Sequence, residues 1–318
     1  MLIKSMLLVA FSLPLSLFVF LTDAGSPVSA QEARGPRFPV SAQEAGGRQT
    51  GTLEQIIPGH YMYTSGNRVS GVIVTSEGVV VLDALSSEAM ARHERQLIAS
   101  TIQQPVRFLI SSTFHDNYTE GNVAYHDVIR IGHEDYKADL LDMMTADKVP
   151  EALRMARLPH LTYRGRMTLH LGGKEIQILH VGRGHTRGDS IVFVPADRIV
   201  YVSELLFYDR FPYMNSGYID WIDTLDNVLK LEADIFVPGQ GPATWKSDPA
   251  ASRQALIRFR QVLVDFRDAV RSEIAQGATE DEVIARVMLQ QYQGLGGYKQ
   301  QREVVLRRTY QGLKGALP

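Results

Sequence analysis

The sequence predicts an α/β (α+β) fold, two mixed sheets faced by helices, with a wholly helical extension at the C-terminus. Three observations carry this. Short β-rich runs with Gly and Asn turns between them open the folded part, from Tyr61 to Asp83. Helical periodicity then alternates with apolar strand-like runs as far as Val237. Beyond Trp245 the pattern is helical alone.

Tyr61–Thr64, Gly71–Thr75 and Val79–Asp83 read as successive strands. Ser86 to Thr101 follows as a helix, capped by Ser86 or Ser87, with Met90, Leu97 and Ile98 on one face. Val106–Ile110 is a buried strand that delivers residues 111–122 at its C-terminal end. The second half places strands near Thr168–Leu171, Glu175–Val181, Asp189–Val194 and Ile199–Val202. Helix Ile219–Leu231 and strand Ile235–Val237 close it. Helices over Pro249–Gln276, Glu280–Tyr292 and Tyr298–Leu313 are expected to cap the sandwich. The expected division is a signal peptide over 1–30, a disordered lead-in over 31–52, the sandwich over 53–245 and the helical cap over 246–318.

A chain of 318 residues, 45% of them hydrophobic, supports one large core or a core with an accessory unit. A net charge of −2 argues against a nucleic-acid partner. The basic run Lys299 to Lys314 reads as the solvated face of a helix, because Val304, Val305, Leu306, Tyr310 and Leu313 share it.

The N-terminus reads as an export signal. Lys4 precedes an apolar run from Met6 to Leu21, broken by Pro14. Val28-Ser29-Ala30 is a small-residue cleavage site, with Thr22-Asp23-Ala24 the nearer alternative. The run is short for a bilayer span, so no stable membrane insertion is expected after cleavage, and the mature chain belongs in the periplasm or outside the cell. Pro27–Ala33 recurs as Pro39–Ala45, a duplication too short to bury a hydrophobic face. Residues 31–52 are rich in Gly, Gln and Arg. The chain has no cysteine, so it needs no disulfide and offers no thiolate ligand.

The most informative stretch is Ser111-Ser112-Thr113-Phe114-His115-Asp116-Asn117-Tyr118-Thr119-Glu120-Gly121-Asn122. It resembles the His-x-His-x-Asp-His … Gly-Gly-Asn metal loop of the metallo-β-lactamase superfamily with most ligands exchanged. Gly184-His185-Thr186-Arg187-Gly188-Asp189 resembles that family's Gly-His-Thr-x-Gly-Asp segment. Ser203-Glu204-Leu205-Leu206-Phe207 stands for its Gly-Asp-Leu-Leu-Phe, and Val237-Pro238-Gly239-Gln240-Gly241-Pro242 for its Val-Pro-Gly-His-Gly-Pro. The resemblance runs over roughly residues 55–245, in order and at matching spacing. It implies the αββα sandwich and, in intact members, two metal ions driving hydrolysis at the strand ends.

Carried over by position, the resemblance puts Thr113, His115, His185 and Glu204 at a first metal and Asn117, Tyr118, Glu204 and Gln240 at a second. Neutral amides and a phenol with a pKa about 10 are poor ligands, so the second set is effectively lost. His115, His185 and Glu204 make a two-histidine, one-carboxylate set suited to one zinc or iron(II), with Thr113 and Gln240 lining the cleft. Asn117 and Tyr118 occupy the catalytic positions. The alternatives to a metal are that Arg183, Arg187 or Arg210 balances Glu204, and that Asn117 and Tyr118 plug the vacated space. Asp116 and Glu120 are expected at the surface, and His126, His133 and His160 carry no ligand motif. Tyr208, Phe211, Tyr213 and Tyr218 either line the cleft mouth or pack on the helical cap. Two functions therefore stay open. One is a hydrolase working with a single metal, and the other is a non-catalytic relative binding a small-molecule ligand in the same cleft.

Overall fold

A computed structural model describes residues 51–213, 218–241 and 249–315. The export signal, its cleavage sites, the heptapeptide repeat and the boundary at 245–246 lie outside the described residues.

The first half begins as an antiparallel meander of β1 (Thr52–Ile57), β2 (His60–Ser65), β3 (Arg68–Thr75) and β4 (Gly78–Leu82). It continues in parallel through β5 (Val106–Ser111), β6 (Ile129–His133) and β7 (Leu161–Tyr163). The second half is β8 (Arg166–Leu171), β9 (Lys174–Leu179), β10 (Ile191–Val194) and β11 (Ile199–Phe207), antiparallel, with β12 (Ile235–Gln240) parallel to β11. The halves meet where Gln240 of β12 pairs with Arg68 of β3. Around them lie α1 (Glu88–Thr101), α2 (Asp116–Thr119), α3 (Glu134–Ala146), α4 (Glu151–Arg157), α5 (Tyr218–Leu229), α6 (Pro249–Ala275), α7 (Glu280–Arg286) and α8 (Tyr298–Leu313).

Strand alternation produces the layers. Ile73, Val80 and Leu82 point inward to meet Ile178, Val192 and Val237 from the other half. Their neighbours Val72, Val79 and Val81 point outward and are covered by Ala91 and Ile98 of α1. On the far side Val200, Val202 and Phe236 are covered by Trp221 of α5, Leu263 and Phe266 of α6 and Val305 of α8. Each large side chain so buried contributes about 1.5–3 kcal/mol. This is an αββα sandwich with C-terminal helices, as the sequence led us to expect.

Several differences have local causes. The predicted lead-in ends one residue late, since β1 starts at Thr52 and pairs along β2. β11 runs on to Phe207, all nine residues buried, so Glu204 lies within a strand and not beyond its end. The expected helix over Glu280–Tyr292 stops at Arg286. Val287 turns extended (ψ 97°), and Leu289 is left-handed (φ 42°). The Arg302 guanidinium donates to the carbonyls of Ile284 and Val287 at 2.8 and 2.7 Å, satisfying groups that a continuing helix would have used. β6 was unforeseen because Arg130 and His133 break its apolar pattern. Both are buried, and the Arg130 side chain donates to the backbone carbonyls of Leu158 and Tyr125.

Ser87 caps α1 by accepting the Met90 amide at 3.2 Å, and Met90 and Ile98 are buried as the periodicity indicates. The same face buries Glu94, a carboxylate that the apolar pattern does not reveal. Gly121 allows the loop after α2 to dock on the chain at Ala84 and Leu85. Its amide donates to the Leu85 carbonyl at 3.2 Å, and a Cβ there would overlap the Ala84 carbonyl.

Candidate active site

Three chain segments converge at one end of the sandwich. β5 ends in Ser111, and the chain then turns into α2 with His115 as the residue before its first turn. The His115 imidazole makes no capping bond, so it is not consumed by the helix end. His185 sits in a tight turn, closed by Gly184 N–H donating to the Thr186 carbonyl at 3.0 Å. Asp189 holds that turn from below. Its carboxylate accepts the Thr186 amide at 2.7 Å and the Thr186 hydroxyl at 2.5 Å, and burial raises its pKa to about 7. Glu204 is delivered from inside β11.

His115, His185 and Glu204 each offer a ligand atom, and these atoms all lie within 4.8 Å of one another. The two imidazole rings meet edge to face with centroids 4.6 Å apart. His185 and Glu204 are fully buried and His115 is half-buried. The His185 Nδ1–H donates to the Tyr213 carbonyl at 2.8 Å, which aims Nε2 at Glu204 Oε2, 3.4 Å away. An imidazole held this way through its distal nitrogen is oriented as a metal ligand. Burial opposes charge on His185, but the bond and charge of Glu204 prevail and raise its pKa above the usual histidine value. Burial, with His185 beside it, holds His115 well below that value, so its ring is neutral and carries a lone pair.

The set fits one ion. Glu204 Oε2 accepts from the Gln240 amide at 3.2 Å, whereas its Oε1 and the hydroxyl of Thr113 are buried with no hydrogen-bond partner among the described residues. Buried unsatisfied oxygens beside two imidazoles are the donor set a divalent cation completes. The second set does not fit. The Tyr118 hydroxyl donates to the Gly239 carbonyl at 2.7 Å, so the phenol takes up space that the resemblance would assign to the second ion. Burial and then Glu204 push its pKa well above the usual phenol value, so it stays protonated. Gln240 turns its amide nitrogen to Glu204, and its oxygen accepts from Asn67 at 3.3 Å. Asn117 lies half-buried on α2.

The arginines considered as partners for Glu204 divide. Arg183 pairs with Asp220 at 2.5 Å and Arg187 pairs with Asp139, so those two are engaged elsewhere. Arg210 does feel Glu204: burial lowers its pKa, and Glu204 and Tyr118 act in the opposite direction. Asp116 is partly exposed yet tied to the buried Arg157 at 2.7 Å, which also donates to Thr119 at 2.6 Å. Thr119 in turn donates to the His115 carbonyl at 3.1 Å, so Asp116, whose side chain is 42% exposed, also anchors α2 through Arg157. Of the aromatic residues after Glu204, Phe211 packs on Phe266 and Tyr298, and Tyr208 enters the inter-sheet core. Tyr213 lies over both histidines, 6.5 and 6.0 Å from their centroids. The side chain of Tyr218 lies outside the described residues.

One buried hub escaped sequence reasoning. Asp83 Oδ1 accepts the Ser112 amide at 2.7 Å, and Oδ2 accepts the hydroxyls of Ser112 and Ser203. The Ser112 carbonyl accepts from the Ser190 amide at 3.0 Å. The ends of β4 and β5, the middle of β11 and the His185 segment are thereby locked together. The signal was present in Asp83 closing an apolar strand, but its partners lie 29 and 120 residues away.

No family model matches the chain. Among curated proteins it is 23% identical, over 62% of its own length and 81% of the other's, to a metallo-β-lactamase type 2 of Elizabethkingia meningoseptica. It is 24% identical to the 2,4-dinitroanisole O-demethylase subunit alpha of Nocardioides sp. strain JS1661, over 51% of this chain and 49% of that one. Among solved structures, a metallo-β-lactamase from Pontibacter korlensis superposes with a TM-score of 0.56 at 16% identity, over 67% of this chain and 99% of that one. The inverting sec-alkylsulfatase Pisa1 from Pseudomonas sp. reaches 0.66 at 14% identity, over 82% of this chain and half of that one. The chain thus spans about half the length of the demethylase subunit and of the sulfatase.

Proposed function

Since this chain belongs to the metallo-β-lactamase superfamily and has its fold, we propose that it is a hydrolase-type protein working with one divalent ion on His115, His185 and Glu204. The observation that carries this is the convergence of the three ligand atoms within 4.8 Å. Zinc or iron(II) held there would supply Lewis-acid polarisation of a substrate oxygen. Tyr213 lies beside both histidines as one wall of the ligand space. Asn117, being neutral, cannot take a proton as a carboxylate would. Turnover of β-lactams or thioesters is accordingly expected to be absent or feeble.

Metal titration of the mature chain with elemental analysis tests the reading. At most one ion per chain is expected, held weakly, and His115→Ala and His185→Ala should each lower the affinity at least about 100-fold. Two tightly held ions, or uptake that both variants leave unchanged, would overturn it. A second reading, a non-catalytic relative binding a small molecule, is favoured by the Tyr118 phenol that fills the second-ion space. Saturating zinc that leaves the wild-type chain empty would decide for that reading.

The proposal includes export, with cleavage after Ala30. N-terminal sequencing of protein recovered from the periplasm or medium should begin at Gln31, and an intact Met1 on protein retained in the cytoplasm would refute this. Among the described residues no helix is long and apolar enough to cross a membrane.

A further inference from the structure

We propose that the end of the sandwich opposite the candidate active site binds a small monocarboxylate with an apolar body. Arg107 takes the carboxylate, and Phe108, Ile129 and Leu171 receive the body. The proposal is independent of the ion on His115, His185 and Glu204.

A cavity of about 450 Å³ opens to solvent at the start of β5 and β6, within the range that accommodates a small organic molecule. Its floor is the inner layer of the sandwich coming to the surface. Phe108 of β5 and Leu171 of β8 pack on that layer from the two halves, and both are only half-buried. Ile129 of β6 pairs in register with Phe108 and shares the face of Ile131 by strand alternation. Ile131 is 1% exposed and Ile129 is 43% exposed, so the cover over this face stops between them.

β5 is built to bring a cation to the rim. Val79 of β4 pairs with Val106 and Val80 with Phe108, which makes Arg107 the extra residue of a bulge. Such an insertion re-aims side chains. Strict alternation would set Arg107 beside Leu109 in the layer under α1. Val106 packs there instead, and Arg107 lines the cavity. Gly78 makes room for the arginine stem: its φ is +128°, and a Cβ there would stand 2.4 Å from Arg107 Cγ. Arg107 has no ion pair among the described residues. The carboxylate on the same rim, Asp127, is already held by both terminal nitrogens of Arg95, at 2.5 and 2.8 Å. His160 supplies a second donor. The Arg130 amide donates to its Nδ1 at 3.1 Å, so the neutral ring carries its proton on Nε2. Burial, with Arg130 beside it, lowers the His160 pKa and keeps that ring neutral. A guanidinium and an imidazole N–H above an apolar floor match a carboxylate joined to a hydrocarbon body.

The test is isothermal titration of the mature chain, without added metal and at fixed ionic strength, with sodium octanoate, sodium acetate and 1-octanol in turn. Octanoate should bind at one per chain. Acetate and 1-octanol should each bind at least about tenfold more weakly, since one lacks the body and the other the charge. Arg107→Gln should weaken octanoate about tenfold or more, and Ile129→Glu, which sets a like charge beside the carboxylate, should do the same. His115→Ala should leave the affinity within about twofold of wild type. Melting curves report folding, and if Ile129→Glu unfolds, Ile129→Ser tests the floor in its place with a loss of a few fold. Absence of saturable octanoate binding overturns the site, as does wild-type affinity in the folded Arg107 or Ile129 variants. So does 1-octanol binding as tightly as octanoate, or octanoate binding lost in His115→Ala, which would put the ligand in the metal cleft. Metal content measured on the same samples tests the ion site separately, so the two readings stand or fall apart.

Discussion

Replacing Asn117→Asp, Tyr118→His and Gln240→His together should raise the metal content from at most one ion per chain to two. Tyr118 is the decisive position. Its side chain is fully buried, and its hydroxyl is bonded to the Gly239 carbonyl, so the second-ion space is filled by protein. Shortening it to an imidazole removes the phenol and leaves a small void, costing about 1–3 kcal/mol in the absence of metal. Histidine at 240 would remove the amide bond to Glu204 and expose a carboxylate oxygen that two ions could share. Binding to the folded state would then offset the void, because a ligand at 100 times its Kd adds about 2.7 kcal/mol. The variant should melt below wild type without zinc and above it with zinc. Elemental analysis that still finds at most one ion would mean that the loop does not hold a second cation even with these ligand types in place.

The second large effect is in the pH dependence of stability. Glu94 is buried in the middle of α1, where its Oε1 meets the Ser70 hydroxyl at 2.5 Å and its Oε2 meets the Tyr125 hydroxyl at 2.7 Å. Burial raises its pKa from 4.5 to about 8, with the Asp83 charge adding to the shift. The folded chain therefore holds this proton more tightly than the unfolded chain. Its stabilising contribution is complete below the unfolded value and is lost as the pH rises through about 8. The slope in that window is about 1.4 kcal/mol per pH unit at full difference in protonation. Asp83 and Asp189, raised to about 6 and 7, act in the same direction over narrower windows. Glu94→Gln keeps an acceptor for one hydroxyl and a donor for the other but cannot ionise. Urea unfolding at pH 5, 6, 7 and 8 should show wild type losing stability steadily, with the variant gaining on it toward pH 8. A constant difference between the two across that range would defeat the assignment.

Much of the candidate site was legible because its residues sit in short segments whose order survives the exchange of ligands. His115 and His185 follow strand ends, and Gly184, Thr186 and Asp189 preserve the turn around His185. Glu204 was found for the same reason, within the apolar run that forms β11. The Asp83 hub, the Arg157 anchor and the buried Glu94 were invisible because each acquires its meaning from partners far along the chain.

The sequence by itself determined the layers and the exchange of ligand types in the loop that resembles the family's, since apolar periodicity and residue identity are local properties. Tertiary structure alone decided what the buried Tyr118 side chain meets. The Tyr118 phenol can find the Gly239 carbonyl only when α2 lies against β12, 121 residues away. Polar groups buried in a low-dielectric interior must be matched with partners, and that matching is set by the packing of distant segments, not by the order of neighbours in the chain.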